Sequence, residues 1–574
     1  MLTAIWAIGR WQRHRERIGE LSTLIQEPFR DKNKDGKVMF IKIDLDENRY
    51  CGLELEDYER GKLHKYLYRR GSPNGPNPSP AAVITTPEKT FNGKILAFFK
   101  RHSGAEDSNN LINRIKELLS THNDDILREI IDRINQYGKR PYLLTLKIRH
   151  NQTWNYIGDL QIFQDLLRQN AQTETARAAA GGKNCCLCGE QKGVSGDPRV
   201  FKFYTIDKPG FIAGGFNKKD AWKNFPVCYE CKLELEAGRK YIEQNLSFKF
   251  YGLSYLLIPD FLIGTVENNQ EILDILINSR KNVSLKDKKR ITNDEEEILN
   301  ELKQQQDTLT ITLLFMEKEQ GAERILLTIE DVYPSRLRVI FDAKDDVDRI
   351  FNNNFTFGNI RTFFRRSSEG KKTNDLDNYF LTIVDSVFKN HSLNPGFLFN
   401  FLMQTIRHEF IQERDFQPRV TDALMTVLFL LKLRLLTFQE VNNMTEGIFE
   451  PLFSRYAGLF GSEAKKGVLL LGVLTQLLLK KQHDERGRTS FRKYLKSLRM
   501  SETDFRALLP KVQNKLEEYN SFDKGKRQIA TEAARYLLAA GENWRIPLNE
   551  LNFYFACGMN LAEEIARIVY SQQE

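Results

Sequence analysis

Five of the seven cysteines fall in two tight groups, Cys185, Cys186 and Cys188 in NCCLCGE and Cys228 and Cys231 in CYEC. The pattern C-x2-C, 39 intervening residues, C-x2-C supplies two short chelating turns. Each turn can set two thiolates about 3.7 Å apart on one tetrahedral ion. Among the first three thiols, Cys185 and Cys188 have the knuckle spacing, and Gly189 after them lets backbone amides face the sulfurs. Cys186 is left as a spare. Four thiolates close the coordination sphere and leave no position for water or substrate, so the expected cofactor is one structural Zn²⁺ per chain. It would staple a segment whose intervening loop, GEQKGVSGDPRVFKFYTIDKPGFIAGGFNKKDAWKNFP, is too polar and Gly-rich to build much core.

No comparable constellation points to catalysis. GxxxxGK[ST], HExxH and GxSxG are all absent. His483-Asp484 is a lone HD dipeptide without the further His and Asp ligands that metal-dependent phosphohydrolases need, and it reads as a solvated turn. DKNKDG at 31–36 imitates the first half of an EF-hand, but the twelfth loop position is Lys42 where a bidentate Glu is required, so it reads as an Asp/Gly turn.

What remains is basic. RTFFRRSSEGKK interleaves Phe363 and Phe364 with Arg361, Arg365, Arg366, Lys371 and Lys372, and KKQHDERGRTSFRKYLKSLR carries Arg488, Arg492, Lys493 and Lys496. Such strips can track phosphates while their aromatics stack on bases. RRGSPNGPNPSP, from Arg69, packs Gly and Pro behind two cations, which suits a rigid loop presenting Arg69, Arg70 and Asn74 to a polyanion. Each of these stretches also reads, more plainly, as a solvated face or a surface crossover.

The elements that hold these residues follow from hydrophobic period. Residues 1–23 place apolar side chains on one face of a helix; KVMFIKIDL and YCGLEL alternate as a hairpin; helices are predicted around 108–137 and 159–178. An amphipathic helix closes the cysteine region near residue 245. YGLSYLLIP, LTITLLFM and ERILLTIEDV are strand-like, with the charged run SRKNVSLKDKKRITNDEEE between the first two. Nearly everything beyond about residue 375 has helical period. The expected class is α+β and multidomain: a mixed domain over 1–180, a zinc-binding module over 181–245, a mixed segment over 246–375 and an all-α bundle over 376–574.

The composition agrees with a large polar protein, 574 residues with 28% charged side chains and a net charge of +9, which permits nucleic-acid binding without requiring it. No secretory signal pattern precedes the first helix, so reduced thiols and a cytoplasmic location are expected. The apolar runs VLLLGVLTQLLL and ALMTVLFLLKLRLLTF are too short or too interrupted by charge to cross a bilayer and read as buried helices.

YLYRRGSPNGPNPSP, the cysteine module with YTIDKPGFIAGGF and AWKNFPVCYEC, and FTFGNIRTFF resemble, in this order, the large subunit of type I-B CRISPR Cascade effectors. The resemblance is specific in the cysteine module and the RRGS loop; in the C-terminal third it rests on helix content. It implies a non-catalytic scaffold at the crRNA 5′ end. Such a scaffold recognises the protospacer-adjacent motif (PAM) in double-stranded DNA, supports R-loop formation and helps recruit a helicase-nuclease. The implied partners are crRNA, PAM-containing target DNA, Cascade backbone and 5′-end subunits and small helical subunits in a prokaryotic cytoplasm, with no membrane. The family also implies internal translation of a small subunit. Gln439-Glu440-Val441 can be encoded as CAG GAG GTN, writing a strong ribosome-binding sequence at start-codon spacing before Met444, which neither Met403 nor Met425 can match. Residues 444–574 would then be a second product. The rival readings are a zinc-containing or HD-type nuclease and a stand-alone zinc-ribbon RNA-binding protein.

Overall fold

The computed structural model describes the chain except residues 16–18, 30–35, 72–74, 104–108, 177–178, 197–199, 202, 204–217, 267–268, 275–276, 278–307, 320–321, 365, 369–370, 374–375, 439–446, 457 and 572–574. The EF-hand-like DKNKDG stretch up to residue 35 and the charged run from Ser279 therefore lie outside the described residues. Two compact units result: Met1–Asn245 with Gly264–Asn269 and Lys318–Arg324, and Leu246–Ile263 with Gln270–Glu317 and Ile325–Glu574. The segments expected as a mixed domain and a separate cysteine module thus share the first unit.

The first unit opens with helix α1 (Leu2–Arg15) and builds a five-stranded sheet from β1 (Lys37–Asp44), β2 (Arg49–Asp57), β3 (Ala82–Val83), β4 (Tyr142–His150) and β5 (Thr153–Tyr156). The order is β2-β1-β4-β3, with β5 beside β4. β1 pairs antiparallel with β2 and parallel with β4, from Lys37↔Tyr142 to Asp44↔Arg149. Val38, Met39, Phe40 and Ile41 are all buried, and because successive strand residues point to opposite faces, β1 is covered on both faces of the sheet. Helices α2 (Asn109–Thr121), α3 (Asn123–Tyr137) and α4 (Gln161–Ala176) supply the rest of this core through residues such as Ile115, Ile126, Phe163 and Leu167. A small three-stranded sheet follows, β6 (Ala179–Asn184), β7 (Gln191–Ser195) and β8 (Val227–Cys228), and α5 (Tyr229–Asn245) leaves from its last strand.

The second unit starts with a four-stranded sheet, order β12-β11-β10-β9, from β9 (Ser247–Phe250), β10 (Leu253–Phe261), β11 (Leu309–Glu319) and β12 (Ala322–Val332). Helix α6 (Pro334–Phe351) and the hairpin β13 (Arg366–Ser368) and β14 (Lys371–Thr373) precede the bundle. The bundle comprises α7 (Asp377–Lys389), α8 (Pro395–Ile411), α9 (Gln417–Lys432), α10 (Glu463–Arg486), α11 (Glu502–Glu518), α12 (Lys524–Ala539), α13 (Leu548–Asn560) and α14 (Ala562–Ser571). VLLLGVLTQLLL lies in α10, whose residues Val468 to Thr475 are all buried, so the run is a core helix. No helix among the described residues is long and apolar enough to cross a membrane.

Candidate functional site

Cys185 and Cys188 occupy the turn between β6 and β7, Cys228 ends β8, and Cys231 stands in the first turn of α5. The turn is a knuckle: the Gly189 amide donates to the Cys185 carbonyl at 2.9 Å, the Cys185 amide donates to the Glu190 carbonyl at 2.9 Å, and Gly189 takes φ +76°, which only glycine adopts without strain. The Cys228 amide points at Cys185 Sγ, 3.4 Å away.

The four sulfurs of Cys185, Cys188, Cys228 and Cys231 lie within 4.8 Å of one another, and Cys188 and Cys228 Sγ are 4.0 Å apart. Thiolates around a tetrahedral ion sit about 3.7 Å apart, so a slight contraction would bring all four onto one metal. Three of the four are buried. Cys186 is exposed and outside the group, its amide tied to the Pro226 carbonyl at 2.8 Å. The crowding polarises the thiols: hydrogen bonding from Cys231 holds Cys228 down at about 6, while the same bond, with burial, pushes Cys231 up.

The helix that begins at this cluster carries its order onward. Glu236 of α5 receives the Arg69 guanidinium in a two-pronged ion pair, Nη1 to Oε2 at 3.1 Å and Nη2 to Oε1 at 3.0 Å, and Arg69 Nη1 also donates to the Leu24 carbonyl at 2.9 Å. Arg69 is 7% exposed. This corrects the expectation for Arg69: its fork is filled from inside the protein, and it anchors the RRGS loop where a free hand had been expected. The described residues behind it, Gly71 and 75–80, are held by hydrogen bonds. Gly71 N donates to Asn77 Oδ1 at 3.0 Å, Asn77 Nδ2 to the Ala81 carbonyl at 2.7 Å, Ser79 Oγ to the Leu67 carbonyl and Asn170 Nδ2 to the Pro78 carbonyl. Arg70 is exposed, with its amide bonded to Gln26 Oε1. Asn74 lies outside the described residues.

The first basic strip also divides. Arg361 is buried, paired with Asp377 at 2.8 Å and set over Phe380. Phe363 and Phe364 are buried too, Phe364 packing on Phe401 at 4.8 Å between ring centres, so these rings belong to the core and are not free to stack on bases. Arg366, Lys371 and Lys372 ride the β13–β14 hairpin, in register Arg366↔Thr373, Ser367↔Lys372 and Ser368↔Lys371. Arg365 lies outside the described residues.

In the second strip Arg488, Lys493 and Lys496 are exposed, but Lys496 Nζ contacts Asp504 at 2.6 Å. Arg492 is half-buried, its guanidinium 3.9 Å from the Phe410 ring centre and donating to the Phe410 carbonyl. His483 and Asp484, expected in a turn, belong to the last turns of α10, which ends at Gly487 with φ +63°. They are solvated, as expected. Met444 lies outside the described residues. What the sequence reading missed is Glu236, whose role depends on a residue 167 positions away.

Three family models of one protein, the CRISPR-associated protein TM1802, match successive parts of the chain: the N-terminal domain over residues 1–169, the central domain over 182–332 and the C-terminal domain over 355–573. No curated protein matches the chain. With its three domains matched in order along nearly the whole sequence, the chain belongs to the CRISPR-associated TM1802 family.

Proposed function

We propose that the chain is the large, non-catalytic subunit of a type I-B CRISPR RNA-guided surveillance complex. In this reading it holds the crRNA 5′ region, recognises the PAM in duplex DNA, supports R-loop formation and offers a surface to a recruited helicase-nuclease. The observation that carries the reading is the family match along the whole chain.

The geometry suits a scaffold. A four-cysteine cluster is closed once a metal fills it, and Zn²⁺ is the ion that four thiolates and a structural role favour. The consequence is mechanical: a metal at Cys231 fixes the start of α5, α5 presents Glu236, and Glu236 holds Arg69 so that Arg70 stands on a fixed loop. Such a loop reads a short DNA element at little entropic cost, while the guide RNA reads the long sequence.

The test is reconstitution. The chain, combined with crRNA and the backbone subunits, should shift a PAM-containing duplex and fail on a duplex with the PAM scrambled, and the chain alone should leave DNA uncut in Mg²⁺ or Mn²⁺. Metal-dependent cutting by the chain alone would replace this reading with the nuclease. Tight binding to free RNA with no gain on complex assembly would replace it with a stand-alone RNA-binding protein.

A further inference from the structure

Helix α3 buries Ile126 and Ile130 in the core of the first unit, but its apolar stripe does not stop there. Ile131 and Ile134 continue it at helical spacing toward the end of the helix, and Ile131 is left 45% exposed. Together with Ile84 and Pro87, which follow β3, they line an open groove of about 840 Å³. This is within the range of clefts that hold ligands, ~300–1,000 Å³. Regular structure fixes its sides: the Ile84 amide donates to the Tyr142 carbonyl at 2.8 Å, and the Tyr142 hydroxyl donates to the Gly138 carbonyl at 3.0 Å. The groove is therefore preformed.

Its second feature is charge. Lys139 and Arg140, directly after the helix, line the groove and are exposed, neither forms an ion pair among the described residues, and no lining residue is acidic. Asp57, brought to the same end of the sheet by the register Asp57↔Lys37 and Lys37↔Tyr142, is held by Lys37 at 2.6 Å and does not line it. Aliphatic walls beside two cations set a double requirement. A nucleic-acid strand would meet the cations but set phosphate and sugar against isoleucine, and the one ring in the lining, Tyr142, is buried and cannot stack on a base. A wholly apolar ligand would leave the cations unmatched. A peptide that carries carboxylates beside apolar side chains meets both requirements.

We propose that this groove docks a segment of a partner protein in which aliphatic side chains stand beside Asp or Glu. The aliphatic side chains pack on Ile131, Ile134, Ile84 and Pro87, and the carboxylates pair with Lys139 and Arg140. The Arg140 guanidinium offers a planar fork that a carboxylate can fill with two hydrogen bonds, while Lys139 acts as a point charge. Docking here requires neither guide RNA nor target DNA, so it stands or falls separately from the proposed function.

The experiment pans a phage-displayed random peptide library on the immobilised full-length chain and, in parallel, on Ile131→Glu and on the double variant Lys139→Glu with Arg140→Glu. The wild type should enrich peptides with Asp or Glu beside aliphatic residues, and both variants should lose them. The consensus peptide, fluorescein-labelled, should then bind the wild type in anisotropy and weaken about tenfold in each variant. Exchanging its acids for lysines should abolish binding to the wild type and restore it on the double variant, a swap that a merely structural role for the two cations would not produce. Leu538→Glu, at an 80% exposed position of α12, should change nothing. All three groove positions are exposed, and circular dichroism checks that the variants keep the fold. If Ile131→Glu unfolds, the charge swap decides alone. The same peptides from the wild type and the double variant, no consensus from the wild type, or an aliphatic consensus without acids would overturn the site. Labelled oligothymidylate or a DNA duplex that binds the wild type and is lost in both variants would overturn it in favour of nucleic acid.

Discussion

At the scale of single residues, the metal set and the RRGS loop lead to separable expectations. Metal binding at a closed thiolate site is also local folding free energy. Cys228→Ser should therefore cost metal content and solubility while Cys186→Ser costs neither, as read by elemental analysis of the purified chain; the reverse pattern would reject the assignment. Removing one partner of a buried ion pair leaves the other uncompensated, so Arg69→Ala should destabilise by about 3–5 kcal/mol, whereas Arg70→Ala should stay within about 0.5 kcal/mol in urea unfolding. Loss of PAM-duplex binding in Arg70→Ala at unchanged stability would then mark a contact with DNA. A third residue-scale expectation concerns pH. Burial acts to raise the Glu54 carboxyl, but hydrogen bonds from Lys147 and Lys42 outweigh it and bring the pKa from 4.5 to about 2. A carboxyl depressed on folding contributes stability above its unfolded value and loses it as pH falls through the folded one. The wild type should thus lose stability from about pH 4.5 to about pH 2, and Lys147→Met should show a shallower loss there; parallel curves would refute the coupling. The cysteines were legible in the sequence because knuckle spacing is local. Arg69 was misread because its burial depends on Glu236, which no local pattern connects to it.

At the scale of elements, two helix crossings depend on glycine pairs. A Cβ on Gly9 of α1 would lie 1.8 Å from the Glu234 carbonyl oxygen, and one on Gly238 of α5 would lie 1.9 Å from the Ile5 carbonyl oxygen. The bundle repeats the device: a Cβ on Gly472 of α10 would lie 2.1 Å from the Phe555 carbonyl oxygen, and one on Gly558 of α13 would lie 1.8 Å from that of Leu469. Backbone cannot yield as a flexible side chain can, so the helices must separate. Gly472→Ala and Gly558→Ala should each cost about 1–3 kcal/mol or more through overpacking, while Gly487→Asn, at a left-handed helix end, should cost a few tenths. Thermal unfolding of the three variants checks this, and equal melting temperatures would show that the crossing relaxes freely. The helices and strands themselves were readable, since period and length declare VLLLGVLTQLLL a buried helix and KVMFIKID a hairpin strand; its central place beside β4 was not, because the pairing is with a strand about a hundred residues away. The crossings were not, because a glycine inside a helical pattern looks the same whether it meets solvent or another backbone. Nor was the break at Lys496–Leu498, whose left-handed run exists only because Asn552, Gln482 and Arg407 hold it.

At the scale of the molecule, the question is whether the C-terminal helices also exist as a second product starting at Met444. Residues 444–574, 131 in all, contain α10 to α14 with much of what holds them together: the Gly472–Gly558 crossing, the buried Lys465–Glu550 pair at 3.0 Å and the Lys466–Glu450 pair at 2.9 Å. The same helices are not self-contained. Phe553 of α13 packs on Phe399 of α8 with ring centres 5.0 Å apart, Asn560 bonds to Gln417 and Thr421 of α9, and Lys465 lies 4.0 Å from the Phe438 ring centre. All four of those partners precede Met444. A shorter product would hence expose an apolar and amide-bearing face on α13 that needs cover, either from another copy or from neighbouring subunits of a complex, which suits a small subunit and disfavours a free monomer. The nucleotide sequence offers the first check, because CAA GAA codons for Gln439 and Glu440 would remove the ribosome-binding sequence. Intact-mass analysis of the complex purified from cells expressing this gene should then find a species beginning at Met444. A synonymous recoding of 439–441 that weakens the ribosome-binding sequence should deplete that species and leave the full-length chain unchanged. Absence of the species, or its persistence at full yield after recoding, would exclude the internal start.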